Sequence, residues 1–240
     1  EAVLISIVTG GCCLLTGPSG VGKSAMGRAV AGALGLPLVE VAGAPDARVT
    51  VPDEMSVVIF DEIARTPPSI RSGLLDREPV ATVVLATHNA RAQTAWPLSE
   101  AELDRFMLSV AFDYPTAEEE RELLRRASRD PLDVDAVVRA ADVAGARAEV
   151  AAVPAASNVI EYAARVARST RPVHDGEAPA FVHELLASGA GPRGALALLA
   201  AARAHALISG GAAVSLDDVD AVAPAALRHR LQMSDAARRQ

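Results

Sequence analysis

Gly17-Pro18-Ser19-Gly20-Val21-Gly22-Lys23-Ser24 reads G-x-x-x-x-G-K-S. At this spacing a glycine turn, an ammonium and a hydroxyl can close around a run of phosphates. Gly17, Gly20 and Gly22 permit positive φ and let backbone amides come close to phosphate oxygens. Lys23 would reach the β- and γ-phosphates, and the Ser24 hydroxyl would hold Mg²⁺. Lys23 is also the single lysine of the chain, every other basic residue being arginine or histidine. A lysine kept only inside this pattern argues for a chemical role. A second group is Asp61-Glu62, which follows Val57-Val58-Ile59-Phe60. Asp61 could coordinate Mg²⁺ directly or through water, and Glu62 could orient and deprotonate an attacking water. Asn89 alone reads as a turn residue. Placed after the acidic pair, it reads as an amide for the γ-phosphate or the water.

These groups need elements that bring them to one place. Cys12 to Thr16 is short and apolar, as a buried parallel strand should be, and Ala25 to Leu34 reads as a helix. The context is strand, glycine turn, helix, and the helix offers its positive end to an anion. Ser56 to Phe60 and Thr82 to Thr87 read as two more buried strands, the first ending in Asp61-Glu62 and the second in His88-Asn89. In an open α/β sheet, ligands sit at the carboxyl ends of strands. The loop, the acids and the amide therefore converge on one edge.

Around them, Glu1 to Val8 reads as the tail of a helix closed by Thr9-Gly10-Gly11, and Leu36 to Val41 as a strand. Ala42 to Glu54 is loop-like, with Pro52 and Asp53 inside it. Pro67-Pro68 opens a helix over 69–76, Pro97 to Phe106 is a short helix, and Met107 to Phe112 is the last strand. Tyr114-Pro115-Thr116 marks a boundary, with Thr116 able to cap a helix. Beyond it, 117–129, 133–149, 156–170, 178–188, 193–209 and 215–231 read as helices, punctuated by Pro131, Pro154 and Pro172, with no strands. The expectation is an α/β nucleotide-binding core over 1–114 and a helical domain over 115–240.

Composition sets limits. Half of the 240 residues are hydrophobic but only 3 % are aromatic, so Ala, Val and Leu must build the core. A net charge of −7 argues against general nucleic-acid binding through a basic surface. Cys12 and Cys13 are neighbours on a strand and point to opposite faces, a poor disulfide and no metal site. Glu1-Ala2-Val3 lacks the basic start of a secretory signal. Ala195 to Ile208 contains Arg203 and His205 and reads as an amphipathic helix, not a membrane span. A soluble, cytoplasmic protein is expected.

Several motifs line up in one order. They are Gly17 to Ser24; Phe60-Asp61-Glu62-Ile63-Ala64-Arg65-Thr66-Pro67-Pro68; Leu85-Ala86-Thr87-His88-Asn89; Trp96 to Phe106; Gly189-Ala190-Gly191-Pro192-Arg193; and Leu227-Arg228-His229-Arg230-Leu231. In this ordered set, extending over nearly the whole chain, the sequence resembles the AAA+ ATPases of the MoxR group. The resemblance implies a P-loop NTPase fold, a three-layer α/β core with a parallel sheet, followed by an all-α lid domain. It implies that Gly17, Pro18, Ser19, Gly20, Val21, Gly22, Lys23, Ser24 and Ala25 surround ATP as Walker A. Asp61-Glu62 becomes Walker B, with Ser24 and Asp61 on Mg²⁺, and Asn89 the first sensor. Arg105 becomes the arginine finger acting on a neighbouring subunit's ATP, and Arg193 the second sensor. It further implies a homo-oligomeric ring, a hexamer, and a client with a von Willebrand factor A domain, with insertion of a metal cofactor as one outcome.

The chain departs from the group at Ala64, His88 and Ala90, where asparagine, glutamine and proline are usual. It is also short between Glu40 and Ser56 and between Arg77 and Thr82. Glu78-Pro79-Val80-Ala81 joins helix to strand too abruptly for the group's pore hairpin. Either these loops are trimmed or residues are missing from the sequence, and missing residues are the favoured reading. Two other classes remain open. A P-loop metabolic kinase would act without Arg105 in trans, and a nucleotide-dependent switch would bind without turnover. A GTPase is excluded, since its N-K-x-D motif needs a second lysine.

Overall fold

The apolar runs expected to be strands become one sheet. The computed structural model describes residues 1–44, 54–75, 82–90, 92, 94, 96–126, 134–173 and 178–239. In chain order the elements are α1 (Ala2–Thr9), β1 (Cys13–Thr16), α2 (Lys23–Leu34), β2 (Leu38–Ala42), β3 (Ser56–Asp61), α3 (Pro68–Leu75) and β4 (Thr82–His88). There follow α4 (Glu100–Leu103), β5 (Leu108–Ala111), α5 (Ala117–Arg126), α6 (Ala140–Ala152), α7 (Ser157–Arg168), α8 (Ala180–Leu185), β6 (Leu186–Ser188), α9 (Pro192–Ile208), α10 (Leu216–Leu227) and β7 (Gln232–Met233). The chain divides into two compact units, one of residues 12–97 and 110–144, the other of 1–11, 98–109 and 145–240.

The five-stranded sheet has the order β2-β3-β4-β1-β5. The pairs β1–β4, β3–β4 and β2–β3 run parallel. Val57, Val58, Ile59 and Phe60 are β-branched or aromatic, suit a pleated surface, and are sealed from solvent. Cys12 and Cys13 are not joined in a disulfide. Thr116 starts α5 as expected: its hydroxyl accepts from the Glu119 amide (3.3 Å), and the Glu119 carboxylate accepts from the Thr116 amide (2.8 Å).

Three expectations need correction. The helix expected over 133–149 begins only at Ala140. The amides of Val137 and Val138 donate to the Ala33 carbonyl at the end of α2 (2.9 and 3.2 Å), which draws 134–139 out of helical geometry. The helix expected over 178–188 ends at Leu185, and the one expected over 215–231 ends at Leu227. Leu186 and Ser188 instead pair antiparallel with Met233 and Gln232, so the otherwise helical part of the chain carries a small two-stranded ribbon. A three-residue strand is too short to leave a periodic signal. Residues 45–53, 76–81 and 127–133, with Pro52, Asp53, Pro131 and the Glu78-Pro79-Val80-Ala81 junction, lie outside the described residues.

The second unit is built on α9, whose Leu198, Ala201, Ala202 and Ala204 are completely buried. Small side chains let α1, α7 and α10 all pack against it. Among the described residues no helix is long and apolar enough to cross a membrane. Ser215 caps α10 with Asp218 in a reciprocal box, as the Ser215-Leu216-Asp217-Asp218 start implies.

His229, just beyond α10, places Nε2 2.9 Å from the Phe106 carbonyl oxygen. Burial lowers its pKa to about 4, with Arg230 and Arg228 adding to the effect and Asp104 opposing it. The folded unit therefore excludes a proton that the unfolded chain binds below its ordinary value of about 6.5. Stability is full above that pH and is lost as pH falls from 6.5 towards 4, by up to about 3 kcal/mol. Thermal midpoints measured at pH 7 and pH 4.5 should fall more steeply for the native chain than for His229→Gln. Equal slopes would remove His229 from acid sensitivity.

Candidate functional site

The site grows from the carboxyl edge of the sheet. β1 ends at Thr16, and Gly17 turns the chain at φ 145° with its amide donating to the His88 carbonyl (3.2 Å). A Cβ at Gly17 would collide with the Phe112 carbonyl oxygen, so no other residue fits the turn. Gly22, at φ 91°, then opens α2 at Lys23. Lys23 is 5 % exposed, and its Nζ donates to the carbonyls of Gly17 (2.9 Å) and Pro18 (2.5 Å). The ammonium thus lies inside the loop, held by neutral acceptors that a phosphate oxygen would outcompete.

Strand register does the rest. Phe60 pairs with Ala86 and Leu15 with Thr87, which sets Asp61, Thr87 and the glycine loop side by side. Ser24 Oγ donates to Asp61 Oδ1 at 2.6 Å. Thr87 Oγ1 donates to the same oxygen at 3.0 Å and accepts from the Glu62 amide at 2.8 Å. Glu62 sits at φ 54°, the one non-glycine with positive φ among the described residues. Such a turn costs roughly 1–2 kcal/mol, and it swings the Glu62 side chain away from the strand line. Glu62 Oε2 is buried with no hydrogen-bond partner among the described residues. A cavity of ≈ 380 Å³ is lined by Ser19, Gly20, Gly22, Lys23, Ser24, Ala25, Asp61, Glu62 and Thr87. Asn89 Nδ2 donates to Ser19 Oγ at 3.3 Å. Burial holds the His88 imidazole below its ordinary range, with Lys23 and Arg71 adding to this and Glu62 opposing. His88 is thereby neutral at pH 7.

The donors fit a hard cation. Ser24 and Asp61 offer only oxygens, converging within 2.6 Å. Among the described residues no group of three or more His, Cys, Asp or Glu forms a protein-only metal cage. Mg²⁺ takes one or two carboxylates and completes its shell with phosphate and water, so this sparse set suits it. The orphaned Glu62 oxygen is an acceptor placed where a water could be held.

Sequence reasoning missed two residues. Thr87 links Asp61 to Glu62, and its only signal was a hydroxyl at the end of an apolar run. Arg71 is 1 % exposed, donating to the carbonyls of Thr66 (3.2 Å), Trp96 (2.8 Å) and Pro97 (3.1 Å). It ties the segment after Glu62 to residues 96–97, and nothing in the sequence distinguishes it from a surface arginine. Arg105 and Arg193 belong to the other unit. There Arg193, the second residue of α9, donates to Asp104 Oδ2 at 2.9 Å.

Residues 13–107 match the ATPase family associated with various cellular activities (AAA), and residues 179–240 match the AAA lid domain. Chaperone MoxR1 of Mycobacterium tuberculosis is 30% identical over 98% of this chain and 71% of its own length. Protein MoxR of Paracoccus denitrificans is 28% identical, over 98% of this chain and 83% of its own. The uncharacterized protein YeaC of Bacillus subtilis is 29% identical, over 96% and 80%. The aligned spans of 269 to 285 positions exceed the 240 residues here, so these relatives carry additional residues inside the matched region. A crystal structure from Cytophaga hutchinsonii, provisionally designated an ATPase, superposes with a TM-score of 0.84 at 26% identity, covering 99% of this chain and 83% of that one.

Proposed function

Since this chain belongs to the MoxR group of AAA ATPases, we propose that it hydrolyses Mg-ATP at a site shared between adjacent copies in a hexameric ring. The work is spent on remodelling or activating a partner protein in the cytoplasm. The functional division is a nucleotide-binding core over 1–114 and a helical lid over 115–240. The observation that carries the reading is the convergence of Lys23, Ser24, Asp61 and Glu62 on one cavity, with Ser24 and Asp61 in direct contact at 2.6 Å.

Lys23 exchanges its loop carbonyls for the β- and γ-phosphate oxygens, and the amides of Gly17 to Ala25 wrap the phosphate chain. Ser24 and Asp61 would hold Mg²⁺, which when bound would supply positive charge against the phosphates. Glu62 holds the attacking water and takes its proton. Asn89 reports the γ-phosphate to the end of β4. Arg105 of one copy stabilises transition-state charge at its neighbour's ATP, and Arg193 answers to the nucleotide from the lid. The client is a protein with a von Willebrand factor A domain, and metal-cofactor insertion is one use of the motor.

The test is dilution. ATP turnover per subunit should collapse as the protein is diluted below the concentration at which rings persist. A rate that stays flat into the nanomolar range would instead favour a kinase acting as a monomer.

A further inference from the structure

A buried arginine grips the chain on both sides of Arg105. Arg230 follows α10, and its side chain is 2% exposed. Nη2 donates to the carbonyls of Asp104 (3.1 Å) and Phe106 (2.7 Å), the residues immediately before and after Arg105. Nε donates to Asp104 Oδ1 at 2.9 Å. Nη1 donates to the carbonyls of Met107 (3.3 Å) and Ala226. All five guanidinium N–H groups are thus taken by acceptors in a fixed fork. Asp104 Oδ2 accepts separately from Arg193 (2.9 Å), whose side chain is 60% exposed. Arg193 can leave Asp104 without releasing the grip of Arg230.

Stability alone does not account for this arrangement. Removing a guanidinium from water is expensive, and a buried pair exchanged for well-packed apolar side chains is often neutral or stabilising. An alanine- and leucine-rich unit had that option. What the arginine secures is the geometry of two peptide groups.

We propose that Arg230 is a positioning residue for Arg105. By fixing the carbonyls that flank it and the Asp104 carboxylate, Arg230 sets the direction in which the Arg105 guanidinium is presented to a neighbouring copy. The inference rests on the shared-site reading above and adds the device that aims the shared arginine. A misplacement of about 1 Å can cost on the order of 10²-fold in rate.

Arg230→Lys keeps the charge but cannot span both carbonyls. The full-length variant should bind ATP with native affinity and turn it over roughly 10–100-fold more slowly. Glu62→Gln copies, which would bind ATP and present a well-aimed Arg105, should restore turnover at the Arg230→Lys copies' own sites. The restored fraction should match that for Arg105→Ala copies in a parallel mixture. Asp104→Asn carries the same test if Arg230→Lys fails to bind ATP, with a smaller loss and the same rescue. Native turnover in Arg230→Lys would overturn the proposal. So would a loss that Glu62→Gln copies fail to restore while they do restore Arg105→Ala, because the defect then lies in the variant's own site. If neither variant is restored, the shared-site reading fails first and takes this inference with it.

Discussion

Subunits carrying Arg105→Ala should bind Mg-ATP as tightly as the native protein and hydrolyse it roughly 10³–10⁵-fold more slowly. The asymmetry between binding and turnover follows from where the groups lie. Ser19, Gly20, Gly22, Lys23, Ser24, Ala25, Asp61, Glu62 and Thr87 line the cavity within one compact unit, whereas Arg105 is part of the other. An arginine acting from a neighbouring copy adds its charge only where charge develops on the transferred phosphoryl group, so ground-state affinity is spared. Phosphate release and equilibrium binding of a fluorescent ATP analogue measure the two quantities separately. Mixing with Lys23→Ala copies should return part of the activity, since these lack a working loop but keep Arg105. Absence of any recovery would count against a site built from two copies.

The second large effect is expected at Glu62. Glu62→Gln preserves size and hydrogen-bonding reach but cannot take a proton, so kcat should fall by roughly 10²–10⁴ while ATP affinity is retained. The substitution leaves the Ser24–Asp61 and Thr87–Asp61 hydrogen bonds in place, because neither uses the Glu62 side chain. The Glu62 amide that donates to Thr87 is backbone and also survives. A loss in kcat alone therefore reports the carboxylate as base, whereas a loss of binding would mean that it holds the nucleotide instead. Turnover at the native rate would remove Glu62 from the chemistry.

Both expectations rest on residues that could be named from the sequence, and the reason is physical. The glycine loop is local: positive φ at Gly17, Gly20 and Gly22, and a lysine one position later, belong to residues that are chain neighbours. Caps are local too, and the Thr116–Glu119 and Ser215–Asp218 boxes close within three residues. Hydrophobic runs of four to six residues flanked by glycine or acids mark buried strands without any knowledge of their partners. Fold class and the candidate phosphate, metal and base residues were therefore all legible.

Tertiary structure decided whatever depends on register or on distant capture. Thr87 enters the site only because β4 lies beside β3 with Ala86 opposite Phe60, and a pairing between separate parallel strands leaves no trace in either strand's composition. The β6–β7 ribbon arises because Leu186 and Ser188 meet residues more than forty positions downstream. Arg71 looks like any surface arginine in the sequence, and Arg230 stands in the closing Leu227 to Leu231 motif with nothing there to say what it holds. Arg230 becomes the clamp beside Arg105 because folding brings it to Asp104 across 126 positions of chain and seals its guanidinium among carbonyls. The sequence by itself specified which groups could do chemistry, because that is a property of residue type and near neighbours. Only the packed chain specified what holds and aims them, because a hydrogen bond to a distant backbone carbonyl is blind to the identity of the residue that supplies it.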